Sequence, residues 1–157
     1  MTVFSRTLSL HSPSETQALA VQVAATLLPG DVVLLEGPIG AGKTHFARSL
    51  IQSLLPVMED VPSPTFTLVQ VYDGPNSEVW HADLYRLSAP DEVVELGLTD
   101  AFEDAICLVE WPDRLAELAP ENALTLRFEI APQEEHRTLT LTSASNHWAE
   151  KLAGIPT

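Results

Sequence analysis

The stretch LLEGPIGAGKTHF, Leu34 to Phe46, constrains this chain more than any other segment. An apolar run, Val32 to Leu35, stops at Glu36 and gives way to Gly37, Gly40 and Gly42, with Lys43 and Thr44 directly after. Gly37 to Thr44 spells G-x-x-x-x-G-K-[ST], the pattern of a phosphate-binding loop. At average composition this pattern arises by chance in roughly one chain of this length in a few hundred. Glycines let the backbone curl so that successive amides point inward, and such a nest binds phosphate oxygens. A helix opening at Lys43 adds its positive dipole end. Lys43 would reach the outer phosphates and the Thr44 hydroxyl would ligate magnesium. Glycine turns between strand and helix also occur for structural reasons alone, so the context decides: an apolar strand before the loop and an amphipathic helix after it are what the motif requires.

That context is present. Asp31 to Glu36 reads as a buried strand, and a helix from Lys43 to about Leu55 places Phe46, Leu50 and Leu54 on one face before Pro56 stops it. Upstream, Thr2 to Leu10 alternates like a strand. SPSE, Ser12 to Glu15, is a capping box with Pro13 at the first helical position, opening a helix to about Leu28. Downstream, Thr65 to Tyr72 and Glu78 to Leu84 read as two strands joined by a Gly-Pro-Asn turn. Ser88 to Asp91 starts a short helix that Gly97 closes. Ala105 to Trp111 is a short apolar strand, and Pro112 to Ala119 is a short helix. Leu124 to Ile130 and Arg137 to Leu141 make a hairpin, and Asn146 to Leu152 is a last helical turn or two. Strand–helix alternation around a glycine loop indicates an α/β sheet with antiparallel additions at its edges, in one domain spanning residues 1–157.

Charge bears on partners. Eight basic against 22 acidic residues leave a formal charge of −14. Lys43 and Lys151 are the only lysines, and six arginines are scattered. A chain that gripped nucleic acid unaided would cluster its cations to displace counterions, so direct binding of that kind is disfavoured. The apolar region from Ala18 to Leu28 is interrupted by Gln22 and Thr26 and is too short for a membrane span of about 20 residues. No secretion-signal layout opens the chain, and the lone Cys107 sits in an apolar run. These features fit a protein of the reducing cytoplasm.

A hydrolytic phosphate loop needs a carboxylate on a neighbouring strand to hold magnesium or its waters. Asp83, in VWHADLYR, and Glu110, in ICLVEW, both sit at strand ends, where the ligand crevice of an open α/β sheet lies. With 22 acids in the chain, a solvated acid at a strand end is the competing reading for each. An Asn-Lys-x-Asp guanine-reading motif is absent, which disfavours a Ras-like GTPase.

GPIGAGKTHF, SPTFTLV (Ser63 to Val69), HADLYRL (His81 to Leu87), ELGL (Glu95 to Leu98) and ICLVEWP (Ile106 to Pro112) follow one another in an order and spacing that resembles the TsaE family, also called YjeE. These are the bacterial ATPases of tRNA threonylcarbamoyladenosine formation, and the likeness runs from about Leu10 to Arg137. The resemblance implies a P-loop NTPase-like three-layer fold with a mainly parallel central sheet. It implies that the loop holds ATP or ADP with Mg2+, through Gly37, Ile39, Gly40, Ala41, Gly42, Lys43, Thr44 and the following His45. Thr65, in a switch-type segment, would sense the γ-phosphate. Asp83 and Glu110 match the family's functional carboxylates, which with Lys43 form the catalytic set; Glu110 and Thr44 are the implied metal ligands. Trp111 matches an aromatic beside the nucleotide, although large aromatics also pack cores, and Arg137 would approach the nucleotide. Pro38 and His45 stand where the family commonly carries Asp and Thr. The implied partner is the TsaD–TsaB complex, with tRNA reached only through it and no membrane involved. An acidic surface is suited to docking on basic partner surfaces.

Two other classes remain open on the residues. A small-molecule kinase would want an arginine-rich lid, which six scattered arginines supply poorly. A nucleotide-gated binding module without productive hydrolysis would use the same loop. No residue is an obvious arginine finger; Arg86 and Arg114 follow the two carboxylates but would equally serve as surface ion-pair partners. None of the five histidines has metal-ligand spacing, so a zinc enzyme has no support.

Overall fold

Two apolar faces on each central strand organise the molecule. In β2 (Val32–Glu36), Val33 and Leu35 enter one hydrophobic cluster while Val32 and Leu34 enter a second on the opposite face. β5 (Ile106–Glu110) repeats the split, with Ile106 and Leu108 on one side and Cys107 and Val109 on the other. Successive strand side chains point to opposite faces, so an unbroken apolar run requires cover on both. The computed structural model describes residues 2–57 and 59–155 of the 157, and it shows that cover as three layers.

Seven strands form one sheet in the order β1-β7-β6-β2-β5-β4-β3. The middle four, β6 (Leu124–Ile130), β2, β5 and β4 (Glu78–Asp83), are parallel. β7 (Arg137–Ser143) and β1 (Phe4–Leu10) add antiparallel at one edge, and β3 (Val69–Asp73) at the other. The mainly parallel centre with antiparallel edges is therefore as expected. Parallel pairing of β2 with β5 and β6 brings the carboxyl ends of these strands to one edge of the sheet, where the loop after β2 begins.

On the first face, α1 (Pro13–Ala24) packs against α2 (Lys43–Leu54). Leu19, Ala20 and Val23 meet Phe46, Leu50 and Ile51 there. Phe46 is fully buried and meets Phe128 of β6 edge-on at 5.7 Å, which ties the helix after the glycine loop to the sheet. Truncating such a phenylalanine costs about 3–5 kcal/mol. α5 (His147–Lys151) closes this face, with Trp148 fully buried and donating to the Asn122 carbonyl at 2.6 Å. Buried Asp31 anchors it: Lys151 Nζ lies 2.6 Å from one carboxylate oxygen and His147 Nε2 3.1 Å from the other. The second face is covered by α3 (Asp91–Glu95), α4 (Leu98–Asp104) and the 3-10 segment Pro112–Leu118.

Several boundaries differ from the sequence reading, and one helix is additional. α1 ends at Ala24 rather than near Leu28, because the Thr26 hydroxyl bonds the Val23 carbonyl and Pro29 disfavours a helical Leu28. β3 begins at Val69 rather than Thr65, because the chain before it turns through Leu68 at φ 69°. β7 continues past Leu141 to Ser143, paired to both β1 and β6. Finally, Gly97 ends α3 and also caps a further helix, α4, that the sequence reading omitted; its φ of 83° suits glycine. Leu98, Ala101 and Phe102, which pack into the second cluster, carried the missed signal, a spacing of three to four.

Among the described residues, no helix is long and apolar enough to cross a membrane.

Candidate functional site

Three elements end at one place. The loop after β2 leads into α2, β5 ends at Glu110, and β4 ends at Asp83, which lies in register opposite Glu110. Together they enclose a cavity of about 470 Å³. Its walls include Ile39, Gly40, Gly42, Lys43, Thr44, His45, Thr65, Asp83, Glu110 and Trp111, so ten of the sequence-derived positions meet here. Gly37, Ala41 and Arg137 do not line it.

Gly37 stands at φ 139° against β6, where an added Cβ would come within 2.6 Å of the Phe128 carbonyl oxygen. Ala41 is fully buried beneath the loop. Arg137 lies on the far side of the loop and holds it from beneath. Its Nε donates to the Ala41 carbonyl at 3.2 Å and its Nη2 to the Gly40 carbonyl at 3.3 Å. With Pro13, Thr16, Ala41, Gly42, His45 and Glu135 it lines a second cavity of about 360 Å³, which shares Gly42 and His45 with the first. The His45 ring is turned toward the start of α1, 3.0 Å from the Pro13 carbonyl.

Inside the main cavity the polar groups are paired to one another. The Thr44 hydroxyl donates to Glu110 Oε1 at 2.9 Å, and His81 Nε2 donates to Glu110 Oε2 at 2.8 Å. Thr65 donates to Asp83 Oδ2 at 3.3 Å, and the Tyr85 amide donates to Asp83 Oδ1 at 3.0 Å. Both carboxylates are buried, with Glu110 only 2% exposed, so they are not solvated surface acids. Lys43 Nζ donates to the Gly37 carbonyl at 2.6 Å and sits 3.5 Å over the Trp111 ring. Burial holds the Lys43 ammonium below the usual lysine range, against the opposing pull of Glu110, Asp83 and Asp113. Trp111 adopts a left-handed backbone, φ 59° and ψ 55°. Such geometry costs a bulky residue on the order of 1–3 kcal/mol and concentrates at functional sites.

The oxygen set suits a magnesium–nucleotide complex. Mg2+ takes hard oxygen donors and is held by one or two carboxylates together with substrate phosphates. Thr44 and Glu110 offer that, and among the described residues no group of three metal-binding side chains forms an all-protein cage.

Two residues of the site escaped the sequence reading. Tyr85 lines the cavity and packs on Trp111, ring centroids 4.9 Å apart. His81 is fully buried beneath Glu110. Its position two residues before Asp83 on one strand, hence on the same face, was the available signal.

The family model for "Threonylcarbamoyl adenosine biosynthesis protein TsaE" matches residues 10–139. The chain belongs to the TsaE family. This TsaE-family chain is 37% identical over 126 residues to the tRNA threonylcarbamoyladenosine biosynthesis protein TsaE of Rickettsia bellii, covering 80% of this chain and 88% of that one. It is 38% identical over 138 residues to the TsaE protein of Bacillus subtilis, covering 87% and 85%. The crystal structure of Bacillus subtilis YdiB superposes with a TM-score of 0.78 at 30% identity, over 98% of this chain and 94% of that one. The glycine loop, Asp83, Glu110 and Trp111 all lie inside the span that matches the TsaE model.

Proposed function

We propose that this chain is a slow, magnesium-dependent ATPase of tRNA threonylcarbamoyladenosine biosynthesis that acts on the TsaD–TsaB complex rather than on tRNA. The observation that carries the reading is the convergence of Lys43, Thr44, Asp83 and Glu110 on one cavity at the carboxyl ends of β2, β4 and β5. Each residue has a task that its geometry supports. The amides of the loop cradle the phosphates, and the start of α2 adds its dipole. Lys43 leaves the Gly37 carbonyl and the Trp111 face to meet the outer phosphates. The Thr44 hydroxyl points its proton at Glu110, which leaves its lone pairs free for a cation. Magnesium, when bound there, neutralises charge on the β- and γ-phosphates. Asp83 orients the attacking water, and Thr65, bonded to Asp83, reports the γ-phosphate to the Ser63–Val69 segment. The nucleoside end is assigned to the cavity by Arg137, which adjoins the main one through Gly42 and His45.

No arginine lines the main cavity among the described residues. Arg86 stacks over Phe66 at 4.6 Å, and Arg114 Nη2 donates to the Tyr85 carbonyl at 3.3 Å. An arginine supplied in trans is worth about 10³–10⁵ in rate for phosphate-loop enzymes, so hydrolysis by the isolated chain is slow and a partner can raise it. Direct tRNA gripping is disfavoured by how the cations are used. Arg6, Arg48 and Arg137 bond backbone carbonyls, and Lys151 pairs with Asp31.

Steady-state phosphate release against TsaD–TsaB concentration tests the proposal, at low and high salt with free tRNA as control. The expected result is stimulation by the complex that weakens with salt, since the Debye length is about 10 Å at 0.1 M. Stimulation by tRNA alone would overturn it, and transfer of phosphate to a small acceptor would instead identify a kinase.

A further inference from the structure

We infer that His81 is a positioning residue for Glu110, setting the carboxylate that orients Thr44 for the cation; the inference rests on the magnesium–nucleotide reading of the site. His81 is fully buried, as is nearly all of Glu110. Glu110 has two carboxylate oxygens and each is taken by one donor: Oε1 by the Thr44 hydroxyl at 2.9 Å, Oε2 by His81 Nε2 at 2.8 Å.

A buried carboxylate without donors is costly, and the end torsion of a glutamate is broad and soft. Two donors on opposite oxygens remove both problems at once. With Oε2 held from below, Oε1 is fixed toward Thr44, and the Thr44 hydroxyl then has one direction for its proton. Remove the His81 N–H and the carboxylate is free to swing, so the hydroxyl loses its fixed acceptor and its lone pairs lose their aim. Partners of this kind, bonded to a metal-site carboxylate rather than to the metal, typically contribute about 10- to 100-fold to metal affinity or activity.

The location of His81 is specific to this task. It lies in register with Leu108 on β5, two residues before the pairing of Asp83 with Glu110, so its ring reaches diagonally to Glu110. Its other nitrogen, Nδ1, is buried with no hydrogen-bond partner among the described residues. The ring nitrogen with a protein partner, Nε2, is the one placed on Glu110. β4 thereby serves both carboxylates: His81 holds Glu110, and Asp83, on the same face, takes the Thr65 hydroxyl.

The test compares His81→Phe, which keeps the ring volume without the donor, with His81→Gln, whose amide nitrogen can stand where Nε2 stood. Three quantities are measured: ADP affinity without metal by calorimetry, Mn2+ affinity of the ADP complex by electron paramagnetic resonance, and the melting temperature. The expected result is metal-free ADP affinity unchanged in both variants and Mn2+ affinity lowered about 10- to 100-fold in His81→Phe, with His81→Gln regaining most of it. Parent-like Mn2+ affinity in a folded His81→Phe would overturn the inference, as would a His81→Gln that fails as badly as His81→Phe. Should His81→Phe not fold, the imidazole ¹⁵N spectrum of the parent decides. An Nε2 resonance of the protonated type that moves when Mg2+ joins the ADP complex supports the role, and one that stays put refutes it. A parent that binds no ADP would overturn the nucleotide reading, and this inference with it, and is distinguished by the metal-free titration.

Discussion

Thr44 Oγ1 and Glu110 Oε1 lie 2.9 Å apart, although 66 positions separate them in the chain. One lies in the first turn of the helix after the glycine loop and the other ends the neighbouring parallel strand, so the sheet register itself assembles the pair proposed to bind the cation.

Separating that pair has a defined consequence. Thr44→Ala and Glu110→Ala are each expected to weaken the magnesium dependence of nucleotide binding, while Asp83→Ala slows hydrolysis and leaves ADP affinity largely intact. Magnesium titrations of binding and of phosphate release, run on all three variants, check the division. Parent-like behaviour of both carboxylate variants would return Asp83 and Glu110 to the status of structural acids.

Lys43→Ala is expected to lower ATP affinity by about 1.5–3 kcal/mol, roughly 10- to 150-fold, the worth of a hydrogen bond to a charged group. Lys151, the other lysine, is committed to Asp31 and cannot substitute. Calorimetry on the folded variant measures it, and unchanged affinity would defeat the phosphate-loop assignment.

Arg137 holds the loop through two carbonyls with a planar fork, which a lysine cannot reproduce. Arg137→Lys should therefore lose nearly as much nucleotide affinity as Arg137→Ala. Full retention by Arg137→Lys, read in the same calorimetric titration, would show that only charge matters there.

Gly37→Ala places a Cβ within 2.6 Å of the Phe128 carbonyl oxygen. Something must shift, and overpacking of this kind costs about 1–3 kcal/mol. Urea unfolding should show that loss together with weakened nucleotide binding, because a backbone shift at Gly37, where the loop begins, moves the amides that follow it.

Cys107 is fully buried, and burial, with a smaller contribution from Asp104, pushes its thiol up to about 12. At pH 8 the thiolate fraction is then about one part in ten thousand, and the thiolate is the reactive form. Iodoacetamide should leave the folded protein unlabelled at pH 8 and label it promptly in guanidinium. Fast labelling of the native state would place the second hydrophobic cluster closer to solvent than described.

Much of the fold could be read from the chain because its signals were local. β2 and β5 are short apolar runs, and α2 shows a stripe at helical spacing; both patterns survive in any tertiary setting that covers them. The ends were less legible. The N-cap of α1 is as expected, with the Glu15 amide donating to Ser12 Oγ at 3.2 Å, but the helix stops earlier because Thr26 and Pro29 interrupt it. α4 is hard to read from the chain because one glycine, Gly97, both ends α3 and caps α4.

The sequence by itself determined the glycine loop, its lysine and threonine, and which two carboxylates end strands beside it. These depend on residue type and on spacing within a few positions. The tertiary structure alone decided the pairings: Thr44 and His81 on the two oxygens of Glu110, Tyr85 against Trp111, and Arg137 on the loop carbonyls from 96 positions away. Side-chain geometry at that range is set by strand order and register, which depend on the packing of both sheet faces together rather than on any one segment.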